Sequence, residues 1–74
     1  MYEKIVKINS IDNANSFVEA TRTLKEDVDV LVGRYIVDGK SILGVLSTNL
    51  LVPLRVQVHG DDTEKYDKLF SRFL

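Results

Sequence analysis

The spacing of apolar residues shifts repeatedly along this chain, and each shift marks a new element. Lys4 to Ile8 is short, rich in branched residues and alternating, which predicts a first strand with Val6 and Ile8 turned inward. From Ala14 the period lengthens. Ala14, Phe17, Val18, Thr21 and Leu24 fall on one face of a helix, with Asp12 or Asn13 placed to cap it. Ser16 with Glu19 offers a second capping-box start. Val28, Val30 and Val32 then alternate with Asp29 and Leu31 as a second strand. Gly33-Arg34 suits a two-residue type II′ turn, because glycine stands at the first central place. Tyr35 to Asp38 returns as a third strand, and Gly39-Lys40 ends it. Ser41 is positioned to cap a short helix, Ile42 to Leu46. Leu54, Val56 and Val58 alternate with Arg55, Gln57 and His59 as a fourth strand, with Pro53 tolerated at its start. Asp61, Asp62 and Thr63 open a last helix whose apolar face is Tyr66, Leu69, Phe70, Phe73 and Leu74.

The resulting order is β-α-β-β-α-β-α. A four-stranded, mostly antiparallel sheet with the helices on one face would bury Phe17, Val18, Val30, Val56, Val58, Leu69 and Phe70. With 74 residues and no linker or repeat, residues 1–74 read as a single α+β domain. The core is thin, since a chain of roughly 60 residues buries only about 60% of its unfolded surface.

Composition narrows the classes. Ten basic and eleven acidic residues give a net charge of -1 with no basic stripe, so no nucleic-acid partner is expected. The chain has no cysteine, which fits a reducing compartment, and its start shows no basic-then-apolar leader. The most apolar stretch, Ile42 to Val58, is interrupted by Ser47, Thr48, Asn49, Pro53, Arg55 and Gln57, and is too broken to span a bilayer. A cytoplasmic domain with no membrane partner is the expectation.

The candidate chemistry is sparse. One histidine and no cysteine offer no metal constellation, and no cofactor is implied. His59 closes the fourth strand beside Asp61 and Asp62, which could orient it as a phosphate acceptor but also add negative charge; a solvated surface imidazole is the simpler reading. Gly33 through Gly39-Lys40-Ser41 is not a phosphate-binding loop, because five residues separate the glycines where that motif has four. Asp61 and Asp62 suit helix capping, and Glu64 with Lys68 makes an ordinary i, i+4 surface pair. On the short helix, Val45 and Leu46 are candidates for the core-facing side. Ile42, Leu43 and Leu46, with Leu50, Leu51 and Val52 nearby, either complete the core or leave an apolar patch for a partner.

The string Gly39-Lys40-Ser41-Ile42-Leu43-Gly44-Val45-Leu46-Ser47 resembles the second-helix signature of HPr, the histidine-containing phosphocarrier protein of the sugar phosphotransferase system. The hairpin before it and the element order are similar as well, over about residues 28 to 60. The resemblance implies the open-faced sandwich of that family, with three helices on one face of the sheet. It also implies that the Ser41–Leu46 helix docks protein partners, through Ile42, Leu43 and Leu46. In many Gram-positive members a serine in this string is phosphorylated by a dedicated kinase, which makes Ser41 a regulatory candidate. Physically, a phosphate there would meet free N–H groups at a helix start, whereas the simpler role is an N-cap. The family's active histidine lies in a Gly-Leu-His-Ala-Arg-Pro-like motif between first strand and first helix. Here that junction reads Asn9-Ser10-Ile11-Asp12-Asn13-Ala14-Asn15, without histidine, arginine or proline. The expected function is therefore a non-catalytic, regulatory HPr-like domain acting by protein contact. The alternatives are a phosphorylatable carrier or regulator using Ser41 or His59, and a small-molecule-binding ferredoxin-like module.

Overall fold

Strand β1 (Tyr2–Val6) leads into helix α1 (Ile11–Arg22), the hairpin β2 (Val28–Val32) and β3 (Tyr35–Asp38), helix α2 (Ile42–Leu46), strand β4 (Leu54–Val58) and helix α3 (Thr63–Leu69). A 3-10 turn over Ser71–Phe73 closes the chain. The computed structural model describes residues 1–74 throughout. The strands form one sheet in the order β1-β4-β2-β3, and every neighbouring pair is antiparallel. It is an α+β open-faced sandwich, with helices on one face and the other face bare.

The alternation along each strand decides which face is which. Val28, Val30, Leu54, Val56 and Val58 are wholly buried beneath the helices, with Val6 from β1. On top of them α1 lays Ala14, Phe17 and Val18, and the final segment adds Tyr66, Phe70 and Phe73. Phe17 stacks on Phe70 at 5.6 Å between ring centroids and meets Phe73 edge-on at the same distance. Tyr2 meets Tyr66 edge-on at 5.2 Å. Such pairs contribute about 0.5–1.5 kcal/mol each beyond the area they bury. Both tyrosines also donate their hydroxyls to carboxylates, Tyr2 to Asp67 at 2.8 Å and Tyr66 to Glu26.

The bare face is different. Ile5, Arg55, Leu31 and Ile36 stand in register across all four strands, forming an apolar row broken by one arginine. Beside it Glu3, Gln57, Asp29 and Asp38 form a polar row, in which Gln57 donates to Glu3 at 2.6 Å. At the hairpin, Gly33 has φ +57° while Arg34 does not enter positive φ, the signature of a type II′ turn.

Several boundaries differ from the sequence reading. Strand β1 begins at Tyr2 rather than Lys4, and Tyr2 and Val6 are its buried ends, with Ile8 buried just beyond. Helix α1 starts at Ile11 and its cap is Ser10, not Asp12, Asn13 or Ser16. The cause is Asn9, whose φ of +67° turns the chain so that the Ser10 Oγ accepts the Asn13 N–H at 3.0 Å. Helix α3 stops at Leu69 and tightens, which swings Phe73 under Phe17 and leaves Leu69 only half-buried and Leu74 exposed. The Lys7 N–H fastens that end by donating to the Phe73 carbonyl at 2.7 Å.

Candidate functional site

Ser41 caps α2. Its backbone is extended, its Oγ accepts the Gly44 N–H at 3.1 Å, and its carbonyl accepts the Val45 N–H at 3.0 Å. The residue remains half-exposed. A strap from α1 fixes its position. The buried Thr21 hydroxyl lies 2.7 Å from the Gly39 carbonyl, Arg22 Nε donates to the Lys40 carbonyl at 2.9 Å, and Lys40 Nζ donates back to the Leu24 carbonyl at 2.7 Å. Gly39 is required for this closeness, since a Cβ there would lie 2.7 Å from Val28 Cγ1 and 3.0 Å from the Val28 carbonyl oxygen. The strap holds the Arg22 guanidinium and the Lys40 backbone at the residue that precedes Ser41. Arg22 stands far from Ser41 in sequence, and no spacing rule would have joined them.

Helix α2 turns Val45 wholly into the core, and Ile42 is half-buried against it. Leu46, expected as a core partner of Val45, is instead 38% exposed, because a helix this short has only one turn to bury. Leu43 lies on the solvent side and is 79% exposed. In the loop that follows, Leu50 packs on the core while Leu51 is 77% exposed beside an exposed Val52. The loop is tied by Ser47 Oγ to the Gly44 carbonyl (2.6 Å), Thr48 Oγ1 to the Val45 carbonyl (2.7 Å) and the Leu51 N–H to Asn49 Oδ1 (3.0 Å). The leucines are therefore held outward by a hydrogen-bonded frame.

His59 is elsewhere. It bonds through Nε2 to Asp29 Oδ2 at 2.7 Å on the bare sheet face. Because Tyr2 pairs with Val58 and Val6 with Leu54, His59 lies by the start of β1 and α1 starts beyond its end. At about 3.3 Å per residue, roughly 20 Å of strand separates the histidine from the α1 start. That start is occupied by its own polar groups. Asn13 Nδ2 donates to the Ile8 carbonyl at 2.8 Å, the Asn9 N–H donates to the Leu50 carbonyl at 2.9 Å, and Asp12 sits in the first turn. Arg72 from the closing 3-10 turn reaches Asn13 Oδ1 at 3.5 Å. The largest hollow, about 530 Å³, is a shallow surface along α3 lined by Asp62, Glu64, Lys65, Lys68 and Leu69.

Solved structures share this arrangement over nearly the whole chain. The HPr-C-His protein of Thermoanaerobacter tengcongensis superposes with a TM-score of 0.79 at 23% identity, covering 97% of this chain and 89% of that one. The fold is that of HPr. The phosphocarrier protein HPr of Bacillus anthracis gives a TM-score of 0.75 at 20% identity, with 99% and 96% covered. The histidine-containing phosphocarrier protein of Mycoplasma gives 0.74 at 13% identity, with 96% and 86% covered. No protein-family model matches the sequence, and no curated protein does. Within the HPr fold, then, this chain has no histidine between β1 and α1, and Leu43, Leu46 and Leu51, which follow the capped Ser41 in sequence, are exposed. No helix is long and apolar enough to cross a membrane.

Proposed function

We propose that this HPr-like domain is non-catalytic and regulates by protein contact, through the Ser41–Leu46 helix, in a setting related to the phosphoenolpyruvate-dependent sugar phosphotransferase system. The observation that carries the reading is the solvent-facing Leu43 on a helix anchored by a fully buried Val45. Leu46, three residues on from Leu43, and Leu51 in the following loop are exposed as well, and Ile42 is half-buried. A Leu43→Asp variant should lose binding to the partner while its thermal stability changes by no more than about 0.5 kcal/mol, as for other exposed positions. A matching loss of stability would return the leucine to a core role.

The Arg22 strap favours phosphorylation of Ser41 as the switch. A phosphate on that hydroxyl would add about -1.5 to -2 charges at the edge of the leucine patch, close to the Arg22 guanidinium. It would weaken apolar docking or recruit an arginine-bearing partner. Incubation with phosphoenolpyruvate and the first enzyme of the phosphotransferase system distinguishes this from a carrier role. The proposal expects no acid-labile phosphoryl group; its appearance on His59 would overturn it.

A further inference from the structure

We propose that β3 is a self-association edge, through which two copies of this chain pair antiparallel about Ile36 to extend the sheet across both. The backbone supplies the first argument. The Gly39 N–H donates to the Val28 carbonyl at 2.7 Å, and pairing continues as Val30 with Val37 and Val32 with Tyr35. Antiparallel pairs alternate between bonded and non-bonded, so Ile36, opposite Leu31, turns its N–H and carbonyl away from β2. Neither Ile36 nor Arg34 takes part in any turn or loop hydrogen bond. These groups lie on an outer edge of the sheet, where β3 has no neighbour.

The side chains supply the second argument. Arg34-Tyr35-Ile36-Val37-Asp38 is complementary to its own reverse. With Ile36 facing Ile36 at the dyad, Tyr35 of each copy faces Val37 of the other, and Arg34 faces Asp38. Aromatic with β-branched, apolar with apolar and opposite charges are each favourable cross-strand pairs. None of the ion pairs within the chain uses Arg34 or Asp38. Asp38 stands directly opposite Asp29, a like-charge pair that an incoming guanidinium would relieve.

The third argument is shape. Tyr35 is 75% exposed and Ile36 is 66% exposed, large apolar surfaces on a strand with no charge between its two ends. On the helix side, a groove of about 330 Å³ lined by Val32, Val37, Thr48 and Asn49 runs beside Tyr35. The pairing directs each Tyr35 ring toward the second copy's groove. The other edge lacks these features: β1 carries Glu3 and Lys4 in its middle, the charges that guard an edge against pairing.

So short an edge makes a weak dimer, with a dissociation constant on the order of 100 µM. Sedimentation equilibrium on the whole chain from about 10 µM to 1 mM brackets that value. The average mass of the natural chain should rise toward twice that of the monomer. Arg34→Asp places carboxylates at both ends of the strand and Asp38→Arg places guanidiniums at both, so each variant alone should associate at least about tenfold more weakly. An equimolar mixture of the two should recover dimer, since each end then meets its opposite. A natural chain that stays monomeric at 1 mM, single variants that dimerise as well as it does, or a mixture that stays monomeric would each overturn the proposal. Circular dichroism of both variants confirms that they remain folded, and recovery in the mixture cannot arise from misfolding.

Discussion

Two serines start two helices here, and the charges beside them differ. Ser10 accepts the Asn13 N–H at 3.0 Å and Ser41 accepts the Gly44 N–H at 3.1 Å, so the capping chemistry is the same. Around Ser10 the polar groups satisfy one another: Asn9, Asn13 and Arg72 all bond within the chain, and Asp12 brings a negative charge. Around Ser41 the basic Arg22 is fastened close by while Leu43 and Leu51 face water. A cap alone therefore says little about function. What stands beside it, an acidic residue or a basic strap followed by exposed leucines, is what separates a structural joint from a surface able to bind.

The largest loss is expected in the aromatic core. Phe70 is fully buried and stacked on Phe17 of α1 and Tyr2 of β1. Phe70→Ala should cost about 3–5 kcal/mol in urea unfolding, a loss to the whole domain rather than to either serine alone. A cost under 1 kcal/mol would mean that the aromatic floor is not what supports α1. Gly39→Ala acts on one side only. The added methyl meets the Val28 side chain and carbonyl, so about 1–3 kcal/mol should be lost. Amide exchange should speed up in α2 while the α1 start keeps its protection.

Replacing the caps sharpens the contrast. Ser10→Ala and Ser41→Ala should each cost about 1 kcal/mol in thermal unfolding, and only the second should alter partner binding. Equal loss of binding in both would make the two helix starts functionally equivalent.

The subtlest test is a slope with pH. The hydrogen bond to Glu26, followed by burial, pushes the Tyr66 hydroxyl from its ordinary 10.0 up to about 12. Below pH 10 the folded and unfolded chains both hold that proton and the contribution is complete. Between about 10 and 12 only the unfolded state releases it, so stability falls as pH rises. The same bond holds the Glu26 carboxyl below its usual value, so its contribution is lost as pH falls through the acid range. Tyr66→Phe should flatten part of the alkaline slope. The rest belongs to Tyr2, whose hydroxyl is raised chiefly by burial and then by its bond to Asp67.

Element order, strand alternation and the α1 face of Ala14, Phe17, Val18, Thr21 and Leu24 were legible because period and burial are tied by geometry. The II′ turn was legible because glycine at its first place has few other uses. The Ser10 cap was hidden, since it depends on a left-handed Asn9 that no local pattern announces. The end of α3 was hidden too, because Phe73 follows the pull of Phe17 rather than the helical period. At the candidate site, the Ser41 cap could be read from the string around it. Which leucines face water could not, as Ile42, Leu43 and Leu46 are sorted by how α2 rolls against α1. The Arg22–Lys40 strap joins residues that only the tertiary fold brings together.

The unequal treatment of the tyrosines gives the molecule a built-in chemical handle. The rings of Tyr2 and Tyr66 are buried and their hydroxyls engaged, whereas Tyr35 is open to solvent. A tyrosine-directed reagent such as tetranitromethane should therefore modify Tyr35 first and nearly alone while the chain is folded. With no tryptophan and no cysteine to compete, the nitrophenol absorbance that results would report from the rim of β3. A single colorimetric titration could then follow any event at that rim, in a protein with no other chromophore in the visible.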